Sequence, residues 1–527
     1  MPDSRYAISE AIRAAYRRHE DDEAMEPICL VDSVGQPIGR IRNGDYVIFY
    51  DIRGEREIEL TQSFTDPDFS RFPTMRDFKT FWATMIEYDP KLNVHVAFPP
   101  IGSIEQTLAQ VITESGKRVC KISETEKAIH VGYFMNGKRK EPFAGEERIG
   151  IESHKTDHMD DFPAMKAKEV ANAAIERLME SEELIIVNFA NIDVLGHIEN
   201  EEAILTAVRT VDEQVGRVLT IARERNVTAL ITSDHGSAES WLYPEGTIDT
   251  GHTRSPVHFI YIDSGNSGKT ELRSGGSLVD VTPTILHLFG LEKPAIMTGE
   301  SLVSGKPSRA QRVILIITDG WGHNSESYGN LIAKAQTPVM DRIKSIYPHT
   351  VIKASGRAVG LPDGTVGNSE AGHMHIGTGR IIPSDRVRIQ EAIEDGSFYR
   401  NEAFIWAMRG AKNSGTNLHL LGIISFFSSH GSIDYLIHLL RMAKKEGAQN
   451  VYIHGLLGRR GERPESGARY TRKIEEEAAE LGVGRFVSII GRHWALDREY
   501  NWDRIEKAYR WLVSGEGFHV AGDVADE

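Results

Sequence analysis

The sequence predicts an α/β protein built on mostly parallel sheets. Short apolar runs typical of buried strands alternate with longer amphipathic stretches typical of helices along most of the chain. That alternation favours parallel strands with helices on both faces of a sheet. At 527 residues the chain can form about three domains of average size or two large ones.

The elements follow from these runs in chain order. Towards the N-terminus we predict helix 5–18, strand 46–50, helix 57–64, strand 94–100, helix 104–115, strand 118–122, helix 165–180, strand 184–189, helix 202–225, and strands 228–232, 257–262 and 313–317. Towards the C-terminus we predict helix 390–396, strand 418–424, helix 435–446, strand 450–454, helix 469–481, strand 486–490 and helix 502–514.

Composition narrows the class of protein. Forty per cent hydrophobic and 26% charged residues are ordinary for a soluble globular chain. Two cysteines exclude a disulfide framework and favour a reducing compartment. We find no signal-peptide pattern and no membrane-spanning run, so we expect a cytoplasmic protein without a membrane partner. The net charge of −15 argues against a nucleic-acid partner.

Residues 360–380 form a glycine-rich stretch with six glycines and one serine. Ser369 precedes a short run that can begin a helix, where free N–H groups and the helix dipole favour an anion. This pattern suits a serine nucleophile for phosphoryl transfer. The alternative is a glycine-rich surface loop with a serine N-cap, which the stretch alone does not exclude.

Acidic and histidine residues follow several predicted strands. Asp319 comes directly after an apolar run, and Asp234 and His235 come directly after another. The remaining members are Asp193, His197 and His252. Because ligands bind beyond the carboxyl ends of strands in open α/β sheets, we expect these side chains to meet at one edge. Such donors suit a pair of Zn²⁺ or Mn²⁺ ions. An Asp-His dipeptide at a strand end is by itself more often a cap or turn than a ligand, so the prediction depends on the joint occurrence of these residues.

Two arginines, Arg53 and Arg56, follow strand 46–50. Three residues apart at a strand end, they can hold a carboxylate or a phosphate together. The alternative is a pair of ordinary surface salt bridges.

These motifs together resemble the cofactor-independent (2,3-bisphosphoglycerate-independent) phosphoglycerate mutases of the alkaline phosphatase superfamily. Gly367-Asn-Ser-Glu-Ala-Gly-His373 is similar to that family's nucleophile motif. Ile317-Thr-Asp-Gly-Trp-Gly322, Asn188–His197, Thr232–Gly236 and His252-Thr253 are similar to its metal-ligand motifs. The resemblance implies an alkaline-phosphatase-like domain and a second α/β domain for substrate.

The order of the motifs differs from the family's order. Segments similar to the family's N-terminal part occupy about 312–527, and those similar to its C-terminal part occupy about 5–305, which implies a circular permutation. The metal-binding, phosphatase-like domain is then expected at 98–384. The substrate domain is expected to be split into 1–97 and 385–527.

The resemblance also implies roles for single residues. One metal ion is expected on Asp193, His197 and His252, and the other on Asp319, Asp234, His235 and the oxygen of Ser369. The implied substrate-binding residues are Arg53, Arg56, Arg460, Arg492, Arg498, Lys127 and His430. The implied reaction interconverts 3- and 2-phosphoglycerate through a phosphoserine, with Mn²⁺ as the expected metal and Zn²⁺ or Co²⁺ as alternatives. We expect a monomer that binds a small phosphorylated acid.

Two departures from the family pattern lie near the substrate residues. Gly461 stands where the family has an aspartate, and Phe426 and Phe427 stand where it has a small polar turn. They motivate an alternative function, a phosphatase or a mutase for a related phosphorylated or phosphonate acid. A non-enzymatic metal-binding scaffold is a third hypothesis.

Overall fold

The computed structural model describes residues 6–263, 270–305, 309–426, 428–458 and 465–521. Its residues divide into two compact units. The split unit combines the chain up to Pro100 with the chain from Arg388 onward, and the continuous unit runs from Ile101 to Val387.

The helices and strands follow one another in three segments. Up to Pro100 they are α1 (Ala7–Tyr16), β1 (Ile28–Val31), β2 (Tyr46–Phe49), α2 (Gly54–Thr65), β3 (Phe81–Ile86) and β4 (His95–Phe98). In the continuous unit they are α3 (Leu108–Glu114), β5 (Val119–Glu124), α4 (Thr125–Ile129), β6 (Glu146–Ile151), α5 (Ala167–Met179), β7 (Leu184–Phe189), α6 (Asn191–Gly196), α7 (Glu201–Glu224), β8 (Thr228–Thr232), β9 (Val257–Ile262), α8 (Val281–Phe289), β10 (Val313–Thr318), α9 (Leu331–Lys334), α10 (Pro338–Ile346), β11 (His349–Ile352) and α11 (Ser369–Thr378). The last segment holds α12 (Asp385–Glu394), α13 (Glu402–Ser414), β12 (Leu418–Ile423), α14 (Ile433–Glu446), β13 (Val451–Leu457), α15 (Ser466–Leu481), β14 (Arg485–Gly491), α16 (Arg492–Ala495), α17 (Trp502–Ser514) and β15 (Phe518–Ala521).

Each unit is built on one sheet. The continuous unit has seven strands in the order β11-β9-β8-β10-β7-β5-β6, parallel from β8 to β6, with β9 antiparallel to both of its neighbours. The split unit has eight strands in the order β15-β1-β14-β13-β12-β2-β3-β4, and only the β1–β14 pair is antiparallel. The predicted α/β class with mostly parallel sheets is confirmed.

The central strands are buried along their whole length because helices cover both faces of each sheet. Every residue of β7 and of β10 is buried. A parallel strand covered on both faces therefore has a continuous apolar sequence instead of an alternating one. This is the feature by which the sequence located both strands.

Some predicted bounds are wrong. The helix expected from residue 104 begins at Leu108, because Thr107 has an extended backbone. The helix expected from residue 57 begins three residues earlier, at Gly54. Strands β1, β3, β6, β11 and β15 were not predicted. Three of them, β1, β11 and β15, are only four residues long, which leaves little room for a periodic signal.

Candidate active site

The predicted metal ligands of the continuous unit lie at the carboxyl ends of adjacent strands. Asp234 and His235 follow β8, Asp319 follows β10, and Asp193 lies in α6, directly after β7. Lys127 lies in α4, directly after β5. The four strands are neighbours in the order β8-β10-β7-β5, so the sheet brings these side chains to one edge.

Ser369 is the first residue of α11. The side chain of Asn368 caps this helix by accepting a hydrogen bond from the Ala371 N–H at 2.8 Å. The Ser369 Oγ lies 2.7 Å from the Lys127 Nζ and 3.0 Å from the His235 Nε2. Gly372 allows α11 to lie this close to Asp234, because a Cβ at position 372 would lie 2.4 Å from the Asp234 carbonyl oxygen.

The ammonium of Lys127 is buried among carboxylates. Its Nζ lies 2.5 Å from the Asp193 Oδ2 and 2.8 Å from the Asp319 Oδ1. Burial alone would lower the pKa of Lys127, but the charges of Asp319, Asp193 and Asp234 outweigh it and raise that pKa. Burial likewise opposes ionisation of Asp193, yet the Lys127 and His235 charges hold its pKa well below the usual range. Lys127 thus partly neutralises a cluster of buried carboxylates.

The first predicted donor set fits a metal ion. The Nδ1 atoms of His197 and His252 lie 2.8 Å and 2.9 Å from backbone carbonyl oxygens. A carbonyl only accepts, so each Nδ1 carries a hydrogen, and in the neutral imidazole each Nε2 presents a lone pair. These two Nε2 atoms are 3.1 Å apart, and the Asp193 Oδ1 lies 3.0 Å from the nearer one. Three electron-pair donors that face one another are mutually repulsive. A divalent cation between them would be coordinated by all three.

The second predicted donor set also fits. The His235 Nε2 lies 3.4 Å from an Asp234 oxygen, 3.5 Å from an Asp319 oxygen and 3.0 Å from the Ser369 Oγ. The Asp234 Oδ2 is buried, and the ring nitrogens of His235 and His373 lie 3.4 Å and 3.2 Å from it. Two carboxylates, one imidazole and one hydroxyl therefore converge, and an oxygen-rich set with one nitrogen suits Mn²⁺ or Zn²⁺.

Two contacts of the cluster were not assigned from the sequence. The His373 Nδ1 lies 3.2 Å from the Asp234 Oδ2, and the Asn188 amide donates to the Asp319 Oδ2 at 2.8 Å. His373 lies four residues after Ser369 on α11, a spacing that predicts a shared helix face. The neighbouring His375 instead accepts from the Ile382 N–H within the backbone around it.

The split unit contains the predicted substrate arginines at the carboxyl edge of its sheet. Burial and the charges of Arg498, Arg53 and Arg492 lower the pKa of Arg56. Salt bridges hold three of them, since Arg53 and Arg498 contact Glu55 and Arg492 contacts Glu23. Clustered cations suit an anionic ligand. The other predicted residue, Arg460, lies outside the described residues, as do Gly461 and Phe427.

His430 lies in the loop between β12 and α14 and is fully buried. Its Nδ1 is 2.9 Å from the Glu57 Oε1, and Asp51 completes a group whose ligand atoms lie within 4.8 Å of one another. Burial, followed by the Arg492, Arg53 and Arg56 charges, lowers the pKa of His430 to about 3. His430 is therefore a neutral imidazole at physiological pH.

Comparison with known families supports this arrangement. The family model described as "Metalloenzyme superfamily" matches residues 30–293, which is half of the chain. The chain belongs to the metalloenzyme superfamily. The match contains five of the predicted metal ligands, Asp193, His197, Asp234, His235 and His252. Membership and the clustered donors together support divalent metal binding. A second model, "BPG-independent PGAM N-terminus (iPGM_N)", matches residues 389–526.

Several curated proteins are similar to this metalloenzyme chain. Proteins of Moorella thermoacetica and Listeria monocytogenes named 2,3-bisphosphoglycerate-independent phosphoglycerate mutase are 41% and 39% identical over 297 residues. A Methanosarcina barkeri protein named 2,3-bisphosphoglycerate-independent phosphoglycerate mutase 1 is 39% identical over 304 residues. The alignments cover 56 to 57% of this chain and 57% of each relative, so the chain spans little more than half the length of the curated relatives it matches.

A solved structure of Leishmania mexicana phosphoglycerate mutase at low cobalt concentration is 29% identical. The match covers 52% of this chain and 53% of that one, with a TM-score of 0.38. Among the residues that the structure describes, no helix has both the length and the apolar character needed to cross a bilayer.

Proposed function

We propose that this chain is a metal-dependent phosphoglycerate mutase that interconverts 3-phosphoglycerate and 2-phosphoglycerate through a phosphoserine at Ser369. The observation that carries the proposal is the position of the Ser369 Oγ, which lies between the Lys127 ammonium and the His235 imidazole at the first residue of a helix. A nucleophile there has a cation beside it and free backbone N–H groups around it.

The chain's own residues account for the chemistry. The Ser369 Oγ would form the new bond to phosphorus while the ester bond between phosphorus and the substrate oxygen breaks, and that oxygen then takes up a proton. The Lys127 ammonium, which donates to the Ser369 Oγ, would hold the negative charge of the attacking alkoxide. The reverse transfer to the other hydroxyl of the glycerate would release Ser369.

Two divalent ions are proposed, one on Asp193, His197 and His252 and one on Asp319, Asp234, His235 and Ser369. When bound they would supply Lewis-acid stabilisation of the phosphoryl oxygens and acidify the serine hydroxyl. Mn²⁺ is the proposed metal, with Zn²⁺ or Co²⁺ as alternatives.

The arginines of the split unit are proposed to bind the substrate carboxylate and phosphate. The charges of Arg498, Arg53 and Arg492 lower the pKa of Arg56, and Arg53 and Arg498 both contact the carboxylate of Glu55. A dianionic phosphate or a carboxylate would relieve that repulsion and accept their N–H groups in pairs. We assign Arg460 to the same role from the resemblance alone.

We also infer that the chain is a circularly permuted member, with a continuous metal-binding domain at 98–384 and a substrate domain split into 1–97 and 385–527. The order of the matches supports this, because the model for the relatives' N-terminus aligns with residues 389–526 of this chain. The division of the structure into a continuous and a split unit supports it as well. The substrate would be a small phosphorylated acid, and the protein a cytoplasmic monomer.

The test is a product-resolved assay. The chain would be incubated with 3-phosphoglycerate and Mn²⁺ but no bisphosphoglycerate, and followed by ³¹P NMR. We expect 2-phosphoglycerate, and a phosphorylated peptide containing Ser369 in acid-quenched protein. Inorganic phosphate released without 2-phosphoglycerate would contradict the mutase.

That outcome would favour the second candidate, a phosphatase or a mutase for a related phosphorylated or phosphonate acid. The observation behind it is Phe426, whose bulky side chain is 53% exposed in the loop that carries His430. A changed loop in the split unit, combined with unaltered metal ligands in the continuous unit, is what a changed acid substrate requires.

A further inference from the structure

A buried group of Asp51, Glu57 and His430 lies apart from all the proposed metal ligands. Asp51 follows β2, Glu57 is in the first turns of α2, and His430 follows β12. Since β2 and β12 are adjacent parallel strands, their carboxyl ends bring the three side chains together. All three are fully buried.

No lysine or arginine of the described residues forms an ion pair with either carboxyl group. Of the ion pairs between described residues, the one that Glu57 makes is with His430, and Asp51 makes none with a lysine or arginine. The Asp51 Oδ1 accepts from the Ile423 N–H at 2.8 Å, while the Asp51 Oδ2 and Glu57 Oε2 are buried without a partner in the described chain. Burial raises the pKa of both, and the Asp51 charge raises that of Glu57 further. Two adjacent carboxyls in such a place hold at least one proton between them.

One ring nitrogen of His430 has a hydrogen-bond partner among the described residues, and the other has none. Its Nδ1 contacts Glu57, and its Nε2 is buried without a hydrogen-bond partner among the described residues. The contact with Glu57 decides what the Nε2 can do. An ionised Glu57 accepts the Nδ1 hydrogen and leaves a lone pair on the Nε2, whereas a protonated Glu57 donates to the Nδ1 and places the hydrogen on the Nε2.

We propose that Glu57, backed by Asp51, is a positioning residue that switches His430 between proton acceptor and proton donor. The inference rests on the proposed function, whose acceptor hydroxyl and leaving oxygen need a base and an acid in turn. When the phosphoryl group leaves a substrate oxygen, the Nε2 gives that oxygen its proton and the Nδ1 takes the proton of Glu57. When the other hydroxyl becomes the acceptor, it returns a proton to the Nε2, and the Nδ1 returns one to Glu57. No proton is gained or lost over the cycle.

The surroundings favour a relay over a metal ion. Among the described residues, the charged and titratable groups around Asp51, Glu57 and His430 are Arg53, Arg56, Arg492, Glu55, Tyr50 and Tyr88. Three of these are arginines whose charges act on His430, and they would repel a divalent cation. The Tyr88 hydroxyl donates to the Phe49 and Asp51 carbonyl oxygens, so its hydrogen is not available to the side-chain carboxyl groups of Asp51 and Glu57.

The test compares Glu57→Gln with Glu59→Gln. Glu59 is on the same helix, is 3% exposed and accepts from the Tyr500 N–H, so its amide variant is a matched control outside the group. A glutamine at 57 keeps a contact with the Nδ1 but cannot pass on a proton. We expect E57Q to slow phosphoglycerate interconversion about 100-fold and to flatten its pH profile, as for loss of general acid–base catalysis. E59Q should match the wild type.

A second substrate separates this proposal from failure of the proposed function. p-Nitrophenyl phosphate has a leaving group that needs no protonation, so its hydrolysis should be the same in E57Q and the wild type. Asp51→Asn should repeat the selective loss if E57Q does not fold. Independently of activity, ¹⁵N NMR of histidine-labelled protein should show two exchanging tautomers of His430 in the wild type and one in E57Q. Identical behaviour of E57Q and E59Q in all three measurements, or a bound metal ion lost only in E57Q, would overturn the relay.

Discussion

In the continuous unit, Asp193 and Asp319 lie against the ammonium of Lys127. In the split unit, Asp51 and Glu57 lie together without an arginine or lysine partner among the described residues. Both arrangements place carboxyl groups in the interior, where an isolated charge is costly. In the first, the charges of Lys127 and His235 hold the pKa of Asp193 well below its usual range, although burial and the Asp234 charge raise that of Asp319, and the second keeps a proton on the pair. Ionised carboxylates with free lone pairs bind metal ions, whereas a carboxyl pair that holds a proton can move it.

The first prediction concerns the nucleophile of the continuous unit and has the largest expected effect. Ser369→Ala removes the atom that would receive the phosphoryl group, so interconversion should fall by at least about 10⁴-fold in a coupled kinetic assay. Ser355→Ala, whose hydroxyl donates to the Arg254 carbonyl, is the control and should keep full activity. Retention of activity in S369A would remove the phosphoserine from the mechanism.

Removing a carboxylate of the continuous unit should cost metal as well as activity. Asp234→Ala deletes a carboxylate of the second donor set, so metal affinity should fall by at least about 100-fold and turnover should be lost. Elemental analysis after dialysis measures the bound metal. Asp212→Asn alters another buried carboxylate of this unit, one that accepts from the Val339 and Met340 N–H groups, and its metal content should be unchanged. Equal metal content in D234A and the wild type would contradict the assignment.

The electrostatic balance of the continuous unit can be tested by removing its cation. Lys127→Met leaves buried carboxylates without compensation, so the free energy of unfolding of the metal-free protein should fall by about 3 kcal/mol. Added Mn²⁺ should restore part of that loss. Lys121→Met is the matched control, since Lys121 is also buried and paired with Glu146, away from the cluster. The free energy of unfolding in urea would be measured for both variants with and without Mn²⁺. If Mn²⁺ restores stability to both variants or to neither, our interpretation is contradicted.

The prediction with the smallest expected effect tests whether another buried carboxyl group of the split unit is protonated. Burial raises the pKa of Glu475 to about 7, although it accepts hydrogen bonds from Ser9 and the Ile8 N–H. A carboxyl group whose pKa is higher in the folded state stabilises the fold below its unfolded pKa, and that stability is lost as the pH rises through 7. Glu475→Gln should flatten the decline between about pH 5 and 7, a change of order 1 kcal/mol in urea unfolding. An unchanged slope would show that Glu475 is ionised in the folded protein.

Local sequence was sufficient for much of the continuous unit. Its central strands are continuous apolar runs, and the residues that follow them, Asp319, Asp234 and His235, carry the donor chemistry. In a parallel sheet every such residue is directed to the same edge, so a one-dimensional pattern predicts a three-dimensional cluster. The fold class follows from the same alternation of strands and helices.

The group of the split unit could not be predicted in this way. Glu57 lies in a helix whose sequence predicts a solvated acidic face, yet it is fully buried beside a histidine 373 positions away in the chain. Whether it keeps its charge depends on burial, on Asp51 and on the absence of a paired cation among the described residues. These three conditions are set by contacts between segments that are distant in the chain.

The sequence by itself therefore determined the α/β class, most strands, and which residues are candidates for metal binding and for the nucleophile, because strand burial and strand-end chemistry are encoded in consecutive residues. The tertiary structure alone decided how the strands are ordered, that Lys127 lies among the carboxylates, and that Asp51 and Glu57 meet His430. Sheet order and burial arise from non-local packing, and these set the protonation state of a buried group.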